Sequence, residues 1–348
     1  MIIERIKMAD SKKLFSIAIP TYNRSAFLDL CLSQILKQFP GNESYLELIV
    51  SDNASSDNTE EIVQKYISSG LPITYIKNKE NTGADNNIAQ AFLLATAKYV
   101  LVLADDDVLV DGSLKTILDI LACGEYGVVH VQAYPYQTDF AKEFPRKQRR
   151  PETVVYDDLG DFIRRVNYFF TFISGNIVNK TLVDKDIAIK EFVGTNMVQL
   201  SWILSALFNS QRNVYIGQNL VAAKGDNSGG YQVCRVFGSN LNKVFDYFIK
   251  RGIQRKYFDI INRRLLFSFF PTMIRGLRKN KGKYHDEDYY ATLRPLFGSY
   301  INFWIFTAPV IVLPLPVVRW WLRVIRNMSK ISQLFGKLND AVIQKKLH

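Results

Sequence analysis

With 348 residues the chain exceeds one average domain, and its 48% hydrophobic share is ample for a folded core, which excludes a disordered chain. Its 44 Lys and Arg against 33 Asp and Glu leave a net charge of +11, which suits anionic partners without choosing among nucleic acid, lipid and phosphorylated ligands. Cys31, Cys123 and Cys234 are scattered with no CxxC pair, so they read as reduced thiols of a cytosolic compartment rather than a disulfide framework. The first thirteen residues mix charges with short apolar pieces and no apolar h-region follows, so no secretory signal is expected.

Leu14 to Ile19 is an apolar run closed by Pro20, a buried strand. Arg24 to Phe39 places Phe27, Leu30, Cys31, Ile35 and Phe39 at helical spacing. Leu46 to Val50 is a second strand, followed by Ser51 to Thr59, a turn packed with side-chain acceptors. A helix over Thr59 to Ile67, a strand over Ile73 to Ile76, a helix opened by Asn81-Thr82-Gly83 and running to Ala97, and a strand over Tyr99 to Ala104 complete the series. Strands alternating with helices imply an α/β fold, a mostly parallel sheet with helices on both faces. Ligands of such sheets bind beyond the carboxyl ends of the strands. The polar clusters Thr21–Asn23, Asp52–Asp57, Asn81–Gly83 and Asp105–Asp107 all fall there.

The last of these clusters, Asp105-Asp106-Asp107, puts adjacent carboxylates at a strand end, where like charges repel. A divalent cation or another positive group would neutralise them, and hard carboxylate oxygens suit Mg²⁺ or Mn²⁺; a solvated acidic turn is the alternative. No GxxxxGK[ST] or GxGxxG phosphate loop competes for the sheet.

Ile19-Pro20-Thr21-Tyr22-Asn23, Ser51-Asp52-Asn53-Ala54-Ser55-Ser56-Asp57, Asn81-Thr82-Gly83 and Asp105-Asp106-Asp107 together resemble glycosyltransferase family 2 over residues 14 to 125. The resemblance implies a GT-A (Rossmann-like) fold that binds a nucleotide-diphosphate sugar. It places Pro20, Thr21 and Asn23 along the base and ribose, and Asp52 as the carboxylate that takes a hydrogen bond from the base. A turn or helix-capping role for Asp52 is the alternative. Asp57 suits capping. Asn81 and Gly83 would bring helix amides to the diphosphate, or simply cap the helix. In the acidic cluster Asp105 and Asp106 are donor-side residues, and Asp105 and Asp107 match the DxD pattern. Alternate residues of an extended segment share a face, so these two would point one way, Asp107 onto the metal and Asp105 toward ribose or metal-bound water. Mn²⁺ or Mg²⁺ would act as Lewis acid on the leaving diphosphate.

Many members of the family carry a Glu-Asp pair whose aspartate deprotonates the acceptor. Here Phe192 to Trp202 holds no acid, and Gln199 cannot act as a base. The nearest acids are Glu191 and Asp226, the latter in Lys224-Gly225-Asp226-Asn227-Ser228-Gly229-Gly230, and Asp226 is the candidate base. The missing pair and this turn resemble the abequosyltransferase-like branch that adds sugars in O-antigen synthesis. Whether transfer inverts or retains configuration stays open. His130, in an apolar strand, suits a satisfied core or pocket-edge position. The basic stretch 139–151 suits a solvated loop or a phosphate-attracting one, and no DNA- or RNA-binding module accompanies the charge.

Pro295 to Val318 carries no charge, long enough in principle to span a bilayer, which needs about 20 apolar residues. Pro309, Pro314 and Pro316 break its second half, and the following tail is basic: Arg319, Arg323, Arg326, Lys330, Lys337, Lys345 and Lys346 against Asp340. Interfacial helices on an anionic cytosolic membrane surface, with Trp304, Trp320 and Trp321 at headgroup depth, fit better than a span. A buried helical pair is the alternative. The expected organisation is a glycosyltransferase domain over 1–235, with a donor half near 14–125 and an acceptor half near 126–235. A helical membrane-associating region over 236–348 follows. The expected activity is sugar transfer to a lipid-linked oligosaccharide at the cytoplasmic face of the plasma membrane. A polyprenyl-phosphate glycosyltransferase and a non-catalytic nucleotide-sugar-binding membrane protein are the alternatives. Donor sugar and oligomeric state are not legible.

Overall fold

The computed structural model describes residues 13–147, 151–225, 230–279, 284–285 and 287–324. Its first half runs β1 (Phe15–Thr21), α1 (Ser25–Gln38), β2 (Leu46–Asp52), α2 (Thr59–Ser68), β3 (Ile73–Lys77), α3 (Ala84–Leu94) and β4 (Tyr99–Val102). β1 pairs in parallel with β2 and β4, and β2 with β3, with Thr21 opposite Asp52. Both faces of β1 are buried, as its unbroken apolar run requires. Phe15, Ile17 and Ile19 join Leu28, Leu32 and Ile35 of α1 in the main core, while α3 packs on β1, β2 and β4.

Two ends differ from the sequence expectation for local reasons. β4 stops at Val102 rather than Ala104 because the Ala104 N–H turns to the Ser174 hydroxyl, 3.0 Å away. α3 starts at Ala84 and ends at Leu94, short of Ala97. The Lys180 ammonium closes its last turn, donating to the carbonyls of Phe92, Leu93 and Ala95 at 3.0, 2.9 and 2.5 Å.

The chain continues through β5 (Val108–Leu109), α4 (Ser113–Cys123), β6 (Val128–Tyr136), β7 (Thr153–Tyr156), α5 (Leu159–Val166), β8 (Asn176–Asn179), α6 (Leu200–Phe208) and β9 (Asn213–Lys224). The sheet order is β3-β2-β1-β4-β8-β6-β9-β5, with β7 also on β9. β8 runs antiparallel to both β4 and β6, so the parallel donor half is joined to a mixed second half. His130 on β6 is buried, its Nδ1 3.0 Å from Asn176 Oδ1, and burial holds its pKa down at about 4. The unfolded chain therefore takes up that proton first, near pH 6.5, and the folded state only near 4. Between pH 7 and 4.5 the wild type should lose about 2–3 kcal/mol relative to His130→Phe, a difference that cancels the other titrating groups. Urea unfolding of both proteins at the two pH values measures it.

Two compact units are present: residues 1–229 with 240–261, and residues 230–239 with 262–348. The first ends with α7 (Leu241–Lys250) and includes most of α8 (Arg255–Arg264). The second contains α9 (Phe270–Lys279), α10 (Tyr289–Phe297), α11 (Ala308–Val312) and a helix over 315–324. Its core is built from Leu266, Phe270, Ile274, Leu293, Phe297, Phe303 and Val310. The Thr307 hydroxyl donates to the Leu266 carbonyl at 2.8 Å, and Arg278 caps α11 through the carbonyls of Val310 and Leu313 at 2.5 and 2.8 Å.

The uncharged run is thus two-sided. Phe297, Phe303 and Val310 face this core, while Ile301, Trp304, Val312 and Val317 are exposed. Among the described residues no helix is long and apolar enough to cross a membrane. The indole N–H groups of Trp304 and Trp321 donate internally, to Gly298 and Ile305 carbonyls at 2.8 and 3.0 Å. Arg326, Lys330, Lys337, Asp340, Lys345 and Lys346 lie outside the described residues.

Candidate active site

At the carboxyl ends of β1, β2 and β3 three loops are tied together by short polar side chains. The first loop turns at Asn23, whose φ is 51°, and the second at Ala54, φ 64°, both left-handed. Asparagine tolerates that region and alanine does not, so the second turn must be held from outside. The Asn23 N–H donates to Ser55 Oγ at 2.9 Å, and Asn23 Oδ1 accepts from the Ser56 N–H at 2.8 Å. Asp57 accepts from the Ser25 N–H at 2.9 Å, so it caps α1 as well as the turn into α2, where it takes the Thr59 N–H at 3.1 Å. Asn53 brings in the third loop: its Nδ2 donates to Asn81 Oδ1 at 2.7 Å and its Oδ1 accepts from the Thr82 N–H at 3.0 Å. Buried Asn87 of α3 braces the strands, giving its amide to the Ser51 carbonyl at 2.9 Å and taking the Ser51 hydroxyl at 2.7 Å. The loops form one scaffold.

Asp52 sits inside that scaffold. It is fully buried, and its two oxygens accept from the Ser55 N–H at 2.8 Å and the Tyr75 hydroxyl at 2.7 Å. Burial, and then the Asp52 carboxylate, push the Tyr75 phenol well above its usual range, so it stays a donor. In this structure Asp52 therefore anchors the turn, each of its oxygens holding one donor. Asp52→Ala should lower stability by about 2–4 kcal/mol, because two donors lose their acceptor. Urea unfolding measures that loss; full stability with weakened donor binding would favour the base-contact role over the turn role. Asn81 Oδ1 accepts from the Gly83 N–H at 2.9 Å, and Gly83, with φ 89°, is the cap residue of α3.

The acidic cluster differs from expectation in its geometry. Asp105 and Asp106 lie in a turn closed by the Asp107 N–H on the Ala104 carbonyl at 3.1 Å, not on an extended segment. Asp105 and Asp107 therefore do not alternate onto a common face. Asp105 accepts from the Thr21 hydroxyl at 2.8 Å and from Arg24 at 3.2 Å, and Arg24 reaches Asp106 at 2.9 Å. Asp107 accepts from the Lys224 N–H of β9 at 3.0 Å. Burial raises the Asp105 carboxyl to about 6 against the pull of Arg24 and Thr21. Asp107 is raised to about 7 by burial and then by the Asp106 charge, against the Ser174 hydroxyl and the Lys224 N–H. Three carboxylates meet one guanidinium here, and Asp107 is the one it does not pair with.

Among the described residues no three His, Cys, Asp or Glu side chains are arranged ready-made around a metal. The donors themselves suit one: hard carboxylate oxygens, with Asp107 half-protonated at neutral pH unless a cation meets it.

A cleft of about 310 Å³ opens over these groups, lined by Pro20, Thr21, Tyr22, Arg24, Asn53 and Asp105, with Ala84 of α3 at its side. Pro20, Thr21 and Asp105 were expected from sequence; Arg24, Asn53 and the exposed ring of Tyr22 were not. The signal for Arg24 was the charge imbalance at Asp105–Asp107, which called for a cation. Asn23, Asp52, Asn81 and Gly83 support the cleft without being among the residues that line it. Asp226 lies outside the described residues. Gln199, buried at the start of α6, donates to the Thr171 carbonyl at 2.7 Å and is structural.

Residues 16–187 match the family model for glycosyl transferase family 2. An abequosyltransferase of Salmonella typhimurium is 29% identical over 233 residues, covering 62% of this chain and 67% of that protein. The Campylobacter jejuni GalNAc(5)-diNAcBac-PP-undecaprenol beta-1,3-glucosyltransferase is 34% identical over 104 residues, 30% of this chain and 33% of that one. In fold, the chain is similar to S. aureus TarS crystallised with UDP-GlcNAc, with a TM-score of 0.59 at 18% identity, covering 89% of this chain and 88% of that one. A mannosyltransferase of Pyrobaculum calidifontis in complex with GDP-Man and Mn²⁺ gives 0.50 at 16% identity, covering 90% and 84%.

Proposed function

Because this chain carries a family 2 glycosyltransferase domain and is a glycosyltransferase, we propose that it moves a sugar from a nucleoside-diphosphate donor to a hydroxyl of a lipid-linked oligosaccharide, as in O-antigen-like surface polysaccharide synthesis. The observation that carries the donor half is the cleft at the carboxyl ends of β1 and β4, where Tyr22, Arg24 and Asp105 converge. Tyr22 is 42% exposed, a flat ring on which a base can stack. Thr21 and Asn53 offer hydrogen-bonding groups beside it, and Asp52, Asn23, Asn81 and Gly83 hold the loops that present them.

The donor set fits Mn²⁺ or Mg²⁺, which Asp107 with Asp105 would hold. Such an ion supplies Lewis-acid stabilisation of charge on the leaving diphosphate. Arg24 pairs with Asp105 and Asp106 beside it, and the network from Asn23 to Asn87 keeps the loops from relaxing as the donor arrives. Asp226 is the proposed base. The acceptor's lipid link suits the second unit, where Ile301, Val312 and Trp320 are exposed and Arg319 and Arg323 flank Trp320 in sequence. We place these residues on the anionic cytoplasmic surface of the plasma membrane.

Turnover of a panel of nucleotide sugars, with Mn²⁺, Mg²⁺ or chelator, on a lipid-linked saccharide tests this directly. Transfer to the saccharide hydroxyl is expected, and a product on bare polyprenyl phosphate overturns the acceptor assignment. Deleting residues 295–348 would be a poor membrane test, because Phe297 and Phe303 are core residues. Ile301→Ser with Trp320→Ser should instead weaken liposome binding with the core intact. Unchanged binding would remove the membrane role.

A further inference from the structure

The first unit holds a second cavity, of about 470 Å³, that the donor chemistry does not use. One wall is a single stripe of α7, Lys243, Asp246, Tyr247 and Lys250, at the spacing that brings side chains onto one helix face. The opposite wall is the segment before α6, with Glu191, Phe192 and Thr195. The volume lies in the range of small-molecule sites, roughly 300–1,000 Å³.

Its chemistry is mixed. Ammonium groups of Lys243 and Lys250 can only donate, and carboxylates of Glu191 and Asp246 can only accept. Arg251, at the rim, is committed to Asp184 at 2.7 Å, which leaves the lining close to charge balance. A diphosphate would gain little here. A ligand rich in hydroxyls, each able to donate and accept, satisfies both kinds of group. Between them stands the half-buried ring of Tyr247, held edge to face on the buried Phe192 ring with centroids 4.8 Å apart, an apolar surface for the C–H face of a pyranose.

The position of the cavity matters as much. Asp85, in the first turn of α3, accepts from the N–H groups of Gly194 and Asn196 at 2.7 and 3.0 Å. Its neighbour Ala84 lines the donor cleft, and Thr195, between those two amides, lines the second cavity. One hydrogen-bonded loop separates the two. We propose that this cavity is a saccharide-binding subsite that holds distal sugar units of the acceptor while its reacting hydroxyl reaches the donor cleft. The proposal rests on the glycosyltransferase function proposed above.

Saturation-transfer NMR on the full chain tests it, with methyl glycosides of glucose, galactose, mannose and N-acetylglucosamine as probes. UDP, GDP and CDP binding is measured on the same samples. Exposed Asp246 and Lys250 are changed together, Asp246→Ala with Lys250→Ala, and Thr21→Val serves as the donor-cleft control. Glycoside signals should fall at least about a hundredfold in the double variant, for two lost charged hydrogen bonds, and survive in Thr21→Val. Nucleotide binding should show the reverse pattern. Equal glycoside signals in wild type and double variant, or signals abolished by inorganic phosphate, overturn the saccharide subsite. Loss of glycoside signal with no nucleotide bound by the wild type leaves the subsite standing and sinks the donor assignment instead.

Discussion

Asp107→Asn is expected to lower turnover by roughly 10³ at saturating donor while the protein stays folded, the scale of losing one preorganised electrostatic contact. The local geometry isolates the charge. An asparagine Oδ1 can still accept the Lys224 N–H that Asp107 takes at 3.0 Å, so the tie between the acidic turn and β9 survives. Burial already holds the Asp107 carboxyl at about 7, so near neutral pH the substitution replaces a half-protonated group with a neutral one of the same shape. Because that carboxyl is raised from 3.8 to about 7 on folding, it costs the fold stability above pH 3.8, so the variant should be more stable than the wild type at neutral pH, the gain growing as the pH rises from about 4 to 7. What disappears is the one carboxylate of the cluster that Arg24 does not pair with. Two measurements are needed: turnover across a Mn²⁺ titration, and Mn²⁺ binding followed by electron paramagnetic resonance. Near-full turnover at saturating Mn²⁺, or unchanged Mn²⁺ affinity, removes Asp107 from the metal.

The donor half was legible because each element carries its own local signal. The run Leu14 to Ile19 is buried on both faces as β1, and the helix expected after Arg24 formed as α1, although its buried face is Leu28, Cys31, Leu32 and Ile35, with Phe27 and Leu30 only partly covered. The polar clusters appear at the strand ends because a parallel sheet puts every such end on one edge. The pairings among those clusters were not legible. Arg24 and Asp105 are 81 residues apart, and nothing in either neighbourhood says which carboxylates the guanidinium bridges. The turn at Asp105–Asp106 escaped for a similar reason. It depends on Ser174, from a segment far along the chain, drawing the Ala104 N–H out of β4.

The second half was less legible. β8 is four residues long and owes its place between β4 and β6 to pairing rather than to its own sequence. The uncharged run at 295–318 shows the limit of counting apolar residues. Charge and length alone cannot tell a helix that buries Phe303 and Val310 on one side from one that is apolar all round. Ile301, Val312 and Trp320 are exposed, and the Trp304 and Trp321 indoles bond internally, features that only the fold and not the count of apolar residues could give.

Asp226→Asn carries the other large expected effect, a fall in turnover of about 10² to 10⁴, the usual contribution of a positioned general base. The residue lies outside the described ones, but the chain leading to it is fixed. The Lys224 N–H is bound by Asp107 and the Gly225 N–H donates to the Tyr136 carbonyl at 2.8 Å, so β9 delivers the backbone beside the acidic cluster two residues before Asp226. The backbone at Gly225 runs close to its neighbours: a Cβ there would meet the Gln137 side-chain amide at 2.4 Å, which would have to swing aside, and the Tyr136 carbonyl at 3.2 Å. No acid on α6 offers a substitute, and Glu191 belongs to the wall of the second cavity. A base acts after the donor is bound, so nucleotide-sugar affinity should stay within about twofold while kcat falls. A carboxylate base works only when ionised, so the acid limb of the wild-type pH–rate profile should vanish from the residual activity of the variant. An Asp226→Asn protein with wild-type kcat and an intact acid limb would place the base on another group.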